Sequence, residues 1–489
     1  MPDKDKSEAY LPVYSGRKEI FVDETDINAE NIKNILNEAF QTHRNNLAQI
    51  KYLEKYERGI TPILQRIKEV RPEINFRIAE NHAHEITTFK VGYVFSSPIS
   101  YVQRAKRDMT SPEGESANAD DNGIAILNEM MAEEGKAAKD QKLAKNFSVC
   151  GLGYKIALPK KVRTGKSVFD VIILDPKTTF VAKSNDIYKR PVLGASYAVK
   201  NDGSINWGVY TEKYYFKLES DALGASFKLI DTKANPLGMV PIVEYKNDYE
   251  CMGCFERVLP LLDALNNATS DRLNGLAQFV QSFLWMNNVD LQTDEIEKLS
   301  DKLALLTKSE PGNPATVQYL TATLDQQQVQ SFVDYLYEQI LQISATPSRA
   351  QASGGNTGQA IVLGGGGWAL AETAAKNTEQ MFTESELEFL KVVLKIIQDS
   401  EDVPAEMQNI QLSDIDIKFS RNRTDGLVSK TQALLNMLSA GVDPLKAFDV
   451  CGIFSDPQTV YNDSKPNLKK WEVVAQNVSN NNPTPTEGE

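Results

Sequence analysis

A continuous run of about 18 apolar residues is missing from this 489-residue chain, and with it any expectation of a membrane-spanning helix. The opening MPDKDKSEAY is polar, which argues against a secretory leader, so the chain is expected to be made and kept in a cytosol. Cysteine is scarce. Cys150, Cys251, Cys254 and Cys451 are too few to staple a chain of this length, which fits a reducing compartment. Histidine is scarcer still: His43, His82 and His84 are the only three. Cys251 and Cys254 therefore have no second ligand pair in view for zinc, and ordinary thiols are expected there. His82 and His84 lie two apart and so face different sides of a helix, which argues against a shared metal. Cations are outnumbered, 53 against 66 acids, for a formal net charge of −13. They are scattered instead of gathered on one face, which disfavours tight, static binding of nucleic acid. Contact with DNA that slides remains compatible with this balance, because an acidic wall repels phosphates.

What is present is a long α+β pattern. Residues 1–25 and 475–489 are polar and unpatterned and are expected to be tails. From Asn28 to about Arg58, Ile32, Ile35, Leu36, Phe40, Leu47, Ile50 and Leu53 recur at helical spacing, and Gly59 stops the helix. Helices are also expected over 73–95 and 124–147, separated by a polar loop at 104–124. Short β runs follow at 151–158, 167–175, 194–200, 207–218, 225–231 and 241–246, a hairpin-linked sheet and not a βαβ array. The segment PKKVRTGKS, 159–167, ends like a phosphate-binding loop, but Lys160 stands where the motif needs glycine and a strand follows where a helix is required. A charged hairpin turn is the expectation.

A helix expected over 255–286 carries Val258, Leu261, Leu262, Leu265, Leu273 and Leu276 on one stripe, continued by Phe279, Val280 and Phe283. Asn266, Asn267, Asp271, Asn274 and Gln278 occupy another face. A small compartment at 287–323 includes a charged helix near DEIEKLSDKLALL and a strand at ATVQYLT. A return helix spans 324–343, and a third begins near Ala360 or Trp368 and runs to Gln398. Between the last two lies TPSRAQASGGNTGQAIVLGGGG, supple and almost uncharged. A strand (QLSDIDIKFSRN) and a helical pair from Asp425 complete the ordered part. Rods whose apolar stripes one copy cannot cover would be buried by packing copies side by side in a closed ring.

The order of YLEKYERGITPI, NHAHEITTFKVGYVFSSPISYV, GLGYKIAL, MVPIVEYKNDYECMGCFERVLPLLDALNNATSD, ISATPSRAQASGGNTGQAI and IKFSRN resembles the portal proteins of tailed bacteriophages, the head-to-tail connectors, of the type found in long-tailed phages of Gram-positive hosts. The resemblance spans about residues 51–462. It implies a portal fold, built as a ring, usually a dodecamer, around a channel for double-stranded genomic DNA held without sequence preference. Residues 26–250, with 360–423 returning to them, would be the α/β wing; 251–286 and 324–345 the stem helices; 287–323 the small α/β clip; 346–359 the tunnel loop; 424–465 the helical crown; 466–489 a tail. The tunnel loop would set Ser348, Arg349, Gln351, Ser353, Gly354, Gly355 and Asn356 against the DNA, and the stem would face the channel with Asn267, Asp271, Asn274 and Gln278. Lys298 and Lys302 would lie on the clip, where the terminase large subunit and later the head-completion or tail adaptor dock. Major capsid and scaffolding proteins are further implied partners, the location is the portal vertex of the virion after assembly in the host cytoplasm, and no enzyme activity, cofactor, metal or membrane is implied. A non-viral ring-forming scaffold or adaptor shares the helices but predicts no channel for duplex DNA. A nucleic-acid-processing enzyme needs a phosphate loop or a metal cluster that the residues do not supply.

Overall fold

A computed structural model describes residues 15–69, 72–104, 121–161, 165–280, 283–288, 304–307, 314–320, 326–348, 366–401, 403–420, 427–454, 460–461 and 463–464. The expected tails at 1–14 and 465–489, most of the 104–124 loop, and residues 294–303 of the expected charged helix lie outside the described residues. Residues 15–25, expected to belong to the N-terminal tail, are built into the fold: Ile20–Val22 forms β1 and pairs in parallel with a later strand.

Helix α1, Ile32–Glu57, is about 39 Å long at 1.5 Å per residue and joins two cores. Its Ile32, Ile35, Leu36, Ala39 and Phe40 pack on one sheet, while Ile50, Leu53 and Tyr56, further along the same stripe, pack on helices. Helix α2 is His82–Phe95, shorter than expected, because residues 75–81 take no regular structure; Asn81 caps it by accepting the His84 amide. Strand β2 is Ser100–Gln103. The single helix expected over 124–147 is two, α3 at Asp121–Glu133 and α4 at Lys136–Cys150, broken where Gly135 takes a left-handed conformation at φ 66°.

Strands β3 (Leu152–Pro159) and β4 (Phe169–Leu174) make the expected hairpin around the PKKVRTGKS turn. Strands β5 (Thr179–Ser184), β6 (Pro191–Val199), β7 (Ile205–Thr211), β8 (Tyr214–Ser220) and β9 (Lys228–Ala234) run in antiparallel sequence; with β1 on the edge they form a six-stranded sheet ordered β1-β5-β6-β7-β8-β9. Phe180, Trp207, Phe216 and Leu218 from this sheet bury against α1. Each such side chain contributes roughly 1.5–3 kcal/mol of burial free energy. Strand β10, Ile242–Lys246, instead joins β3 and β4 in a separate three-stranded sheet ordered β10-β3-β4.

Helix α5 is Leu259–Val280, and the chain then turns into β11, Phe283–Asn287, where a continuing helix was expected to 286. Phe283, Leu284, Trp285 and Met286 suit a pleated surface, and partners lie on both sides: β12 (Ala304–Thr307) in parallel and β13 (Thr316–Leu320) antiparallel. Residues 304–306, expected at the end of a charged helix, are therefore strand. Helix α6 is Gln326–Ile343 and α7 is Gly366–Gln398. The last elements are α8 (Ala405–Gln408), β14 (Ile415–Lys418), which pairs with β2, and the helical pair α9 (Leu427–Ser439) and α10 (Pro444–Cys451). Helix α7 lies against β3 and β10, and its Phe382, Phe389, Leu390, Val393 and Ile397 close the largest core.

Candidate functional site

Helices α5 and α6 pack through Leu262, Leu265, Leu336 and Ile340. The polar line of α5 has a local use that its sequence did not disclose. The Asn266, Ser270 and Asn274 side chains accept the amides of Glu80, Ile78 and Phe76 at 2.8, 2.9 and 2.7 Å. Four helical residues advance about 6.0 Å and two fully extended residues about 6.6 Å, so every fourth side chain of the helix can meet every second amide of the segment 76–80. This match draws residues 74–80 out of the helix expected for them. Asn274, grouped by sequence with Asn267 and Asp271, is buried and its side chain bonds the Phe76 backbone. Asn267 and Asp271, on the adjoining line about 100° per residue around the helix, are exposed, and Asp271 accepts from Arg66 at 2.8 Å. Gln278 falls within α5, but its side chain lies outside what is described.

After α6 the chain turns at Ala345, left-handed at φ 55°, and Ser348 Oγ donates to Glu338 at 2.8 Å. Arg349, Gln351, Ser353, Gly354, Gly355 and Asn356 lie outside the described residues, as do Lys298 and Lys302. The start of α7 is anchored: Trp368 meets the rings of Phe89 and Tyr93 at 6.0 and 5.8 Å, and the Tyr93 hydroxyl donates to Glu372. Helix α2 thus holds the first turns of α7.

The remaining chemistry-bearing motifs resolve into structural contacts. The Lys166 and Ser167 amides of the GKS turn donate to Glu133, so a carboxylate of the protein's own occupies the anion position of that turn. His82 sits between Glu80 and Glu85, while His84 reaches Glu57, and the two rings share no partner set. Burial pushes the Cys251 thiol up to about 12 and raises Cys254 as well, which keeps both protonated and poorly nucleophilic. Among the described residues, no group of three or more His, Cys, Asp or Glu could hold a metal ion.

A charge centre that sequence reasoning missed lies beneath α7. Glu386, fully buried, accepts from Lys155 Nζ at 2.6 Å, from the Tyr101 hydroxyl at 2.6 Å and from the Tyr245 hydroxyl at 2.5 Å. Lys136 lies 3.5 Å from the same carboxylate and pairs with Asp140, which also lies 3.3 Å from Lys155. Burial alone would raise the Glu386 carboxyl, but the Lys155 and Lys136 ammoniums outweigh it and hold the group ionised, well below the usual range. Two cations and two anions cancel, and the Lys155 ammonium also lies 4.0 Å from the Phe389 ring centre. The cue was a lysine inside the apolar run GLGYKIAL and a glutamate inside the apolar face of α7.

The described residues thus present rods, a small sheet at the end of two of them and a firmly anchored third, with their polar groups engaged in holding elements together. The model of the family described as "Phage portal protein, SPP1 Gp6-like" matches residues 36–448, most of the length, from within α1 to within α10. The chain belongs to this family and is a phage portal protein. No curated protein matches the chain. Among the described residues no helix is long and apolar enough to cross a membrane.

Proposed function

We propose that twelve copies of this chain close into a ring at one vertex of the capsid of a tailed phage infecting a Gram-positive host, and that the genome is packaged, retained and ejected through its axial channel. The observation that carries this reading is the family match, whose span includes α5, α6 and α7. In the ring α5 and α6 are the stem, the β11–β13 sheet belongs to the clip, α7 and the sheets to the wing, and α9 and α10 to the crown. The clip docks the terminase large subunit and later the tail adaptor, with Lys298 and Lys302 in the contact, and the wing meets capsid and scaffolding proteins. Each copy brings a formal charge of −13, so DNA passes with little adhesion. Images of purified particles test the reading directly: rings with an axial hole wide enough for duplex DNA are expected, and solid or open assemblies would reject it.

The channel face of α5 is assigned to Asn267 and Asp271, with Gln278 further along; Asn274 leaves the earlier set because its amide is committed to Phe76. Replacing both Asn267 and Asp271 by lysine is expected to leave rings intact and slow DNA in transit, lowering the DNA packaged per particle several-fold at low salt and less at high salt. Undiminished packaging at low salt would move the channel face elsewhere.

Residues 346–359 are assigned to the channel wall as a loop that follows the DNA. Gly354, Gly355 and Gly358 supply backbone freedom, while Ser348, Gln351, Ser353 and Asn356 supply short or neutral polar contacts. Arg349 pairs with an acid of the neighbouring copy. Proline at both Gly354 and Gly355 is expected to leave oligomerisation unchanged and to reduce the genome length retained, as read by gel analysis of DNA from mature particles. Full-length retention would reduce the stretch to a linker.

A further inference from the structure

The segment just before β1 is the least expected part of the fold. Its Arg17 side chain is fully buried and distributes three contacts over three elements. Nε donates to Gln49 Oε1 on α1 at 2.7 Å, Nη1 to the Cys150 carbonyl at the end of α4 at 3.0 Å, and Nη2 to Glu256 Oε1 at the entrance to α5 at 2.5 Å. The Arg17 amide donates to the Cys251 carbonyl at 3.1 Å. Before it, Gly16 is left-handed at φ 73°, and a Cβ there would stand 1.9 Å from the Glu250 carbonyl oxygen, so only glycine threads this passage. After it, Lys18 and the Asn46 side chain exchange two hydrogen bonds, at 3.0 and 2.8 Å. Glu19 receives Lys183 from β5 and Lys246 from β10, which ties the two sheets together.

We propose that residues 16–22 are a clasp that sets the angle between the sheets and α5, keyed by the Arg17 guanidinium at the joint formed by residues 247–258. The chain passes from β10 to α5 through this joint, and Glu256 is its centre. One carboxylate oxygen accepts the Gly253 amide at 2.8 Å and the other accepts Arg17. Withdrawal of Arg17 strands a buried carboxylate beside a single amide, an arrangement that persists only if the joint rearranges to admit water or another cation. The clasp and the joint therefore order together. Strand β1 has three residues and pairs on one side only, at the edge of its sheet, so the clasp lifts without breaking an interior ladder. If α5 is a stem helix of the channel, as proposed above, the clasp relays the state of the N-terminal segment to the bore of the ring; the clasp itself stands whether or not that reading does.

Hydrogen exchange on the full chain tests this without reference to DNA. In Arg17→Met, amides of residues 247–258 and of β1 are expected to exchange at least tenfold faster than in the parent, while those of β6, β7 and β8 keep their rates. In Arg17→Lys, which retains the charge but not the three-way fork, an intermediate acceleration at the same amides is expected. Lysine also covers the case in which methionine prevents folding. Uniform acceleration across β6–β8, or parental rates at the joint in the lysine variant, would overturn the clasp. Loss of the axial channel in particle images would reject the stem reading and leave this result untouched.

Discussion

Glu386→Leu is expected to lower the stability of the protein by about 3–5 kcal/mol, the largest effect of any single substitution argued for it. Leucine fills a comparable space, so the loss comes from charge and hydrogen bonds and not from a cavity. Lys155 and Lys136 would remain buried with Asp140 as their only carboxylate in this centre, and the Tyr101 and Tyr245 hydroxyls would lose their acceptor. An uncompensated ammonium at this depth must lose its proton or draw in water, and either outcome loosens α7 from β3 and β10. The matched double variant, Glu386→Leu with Lys155→Met, removes one charge of each sign and leaves Lys136 paired with Asp140. It is expected to regain most of the loss, because a buried ion pair gains little over well-packed hydrophobic residues once both members are gone. Urea unfolding midpoints of the parent, single and double variants measure this. A single variant within 1 kcal/mol of the parent, or a double variant no better than the single, would show that the charges are not coupled as their distances suggest.

The same residues show what a sequence can and cannot disclose. Long amphipathic helices were legible where one stripe is buried along the length, as in α1 and α7, and strands where buried and open faces alternate, as in β7 and β8, whereas α6 buries only Leu336, Ile340 and Leu341 and leaves Phe332 and Tyr335 exposed. Strand β5 was not legible: TFVAKS is buried on nearly every position and has no alternation to read. Residues 74–81 were misread although Ile74, Phe76 and Ile78 alternate with Asn75 and Arg77 at a period of two, a cue against a helix, and Asn81, as a cap, marks the true start of α2. The polar face of α5 was legible as polar but not as engaged. A side chain that meets water and one that meets the backbone of residues 76–80 look alike until the partner is placed, which is why Asn267 and Asn274 were grouped and then separated. Arg17 is the extreme case: a cation in a polar stretch gives no sign that three distant elements converge on it.

Acidification from pH 6.5 towards 4 is expected to cost the fold about 3 kcal/mol through His43 alone. The ring is buried between α1 and the six-stranded sheet, stacked on Phe180 with centroids 4.7 Å apart. Burial drives its pKa down to about 4; the hydrogen bond to the Lys177 carbonyl, at 3.2 Å, opposes the shift without cancelling it. The ordinary value is 6.5, so between these two limits the unfolded chain binds a proton that the folded chain refuses. Stability from this site is therefore complete above pH 6.5 and is lost as pH falls towards 4. Glu19 acts lower: held to about 2 by Lys183 and Lys246 against its burial, it gives up its contribution only below its ordinary 4.5. His82 acts in the opposite direction and higher, since burial lowers its pKa but Glu80 and Glu85 raise it further, so its contribution is complete below 6.5 and fades as pH rises. Glu256 and Asp263, whose carboxyls burial raises, gain stability as pH falls through the same range, so the share of His43 is read as the difference between proteins with and without it. Phenylalanine at this position keeps the stack on Phe180, and the Lys177 carbonyl still accepts the Tyr197 hydroxyl at 2.9 Å, so no buried acceptor is orphaned. Urea midpoints of the parent are expected to fall more steeply than those of the His43→Phe protein between pH 6.5 and 4.5; parallel slopes in the two proteins would place the acid sensitivity in another group.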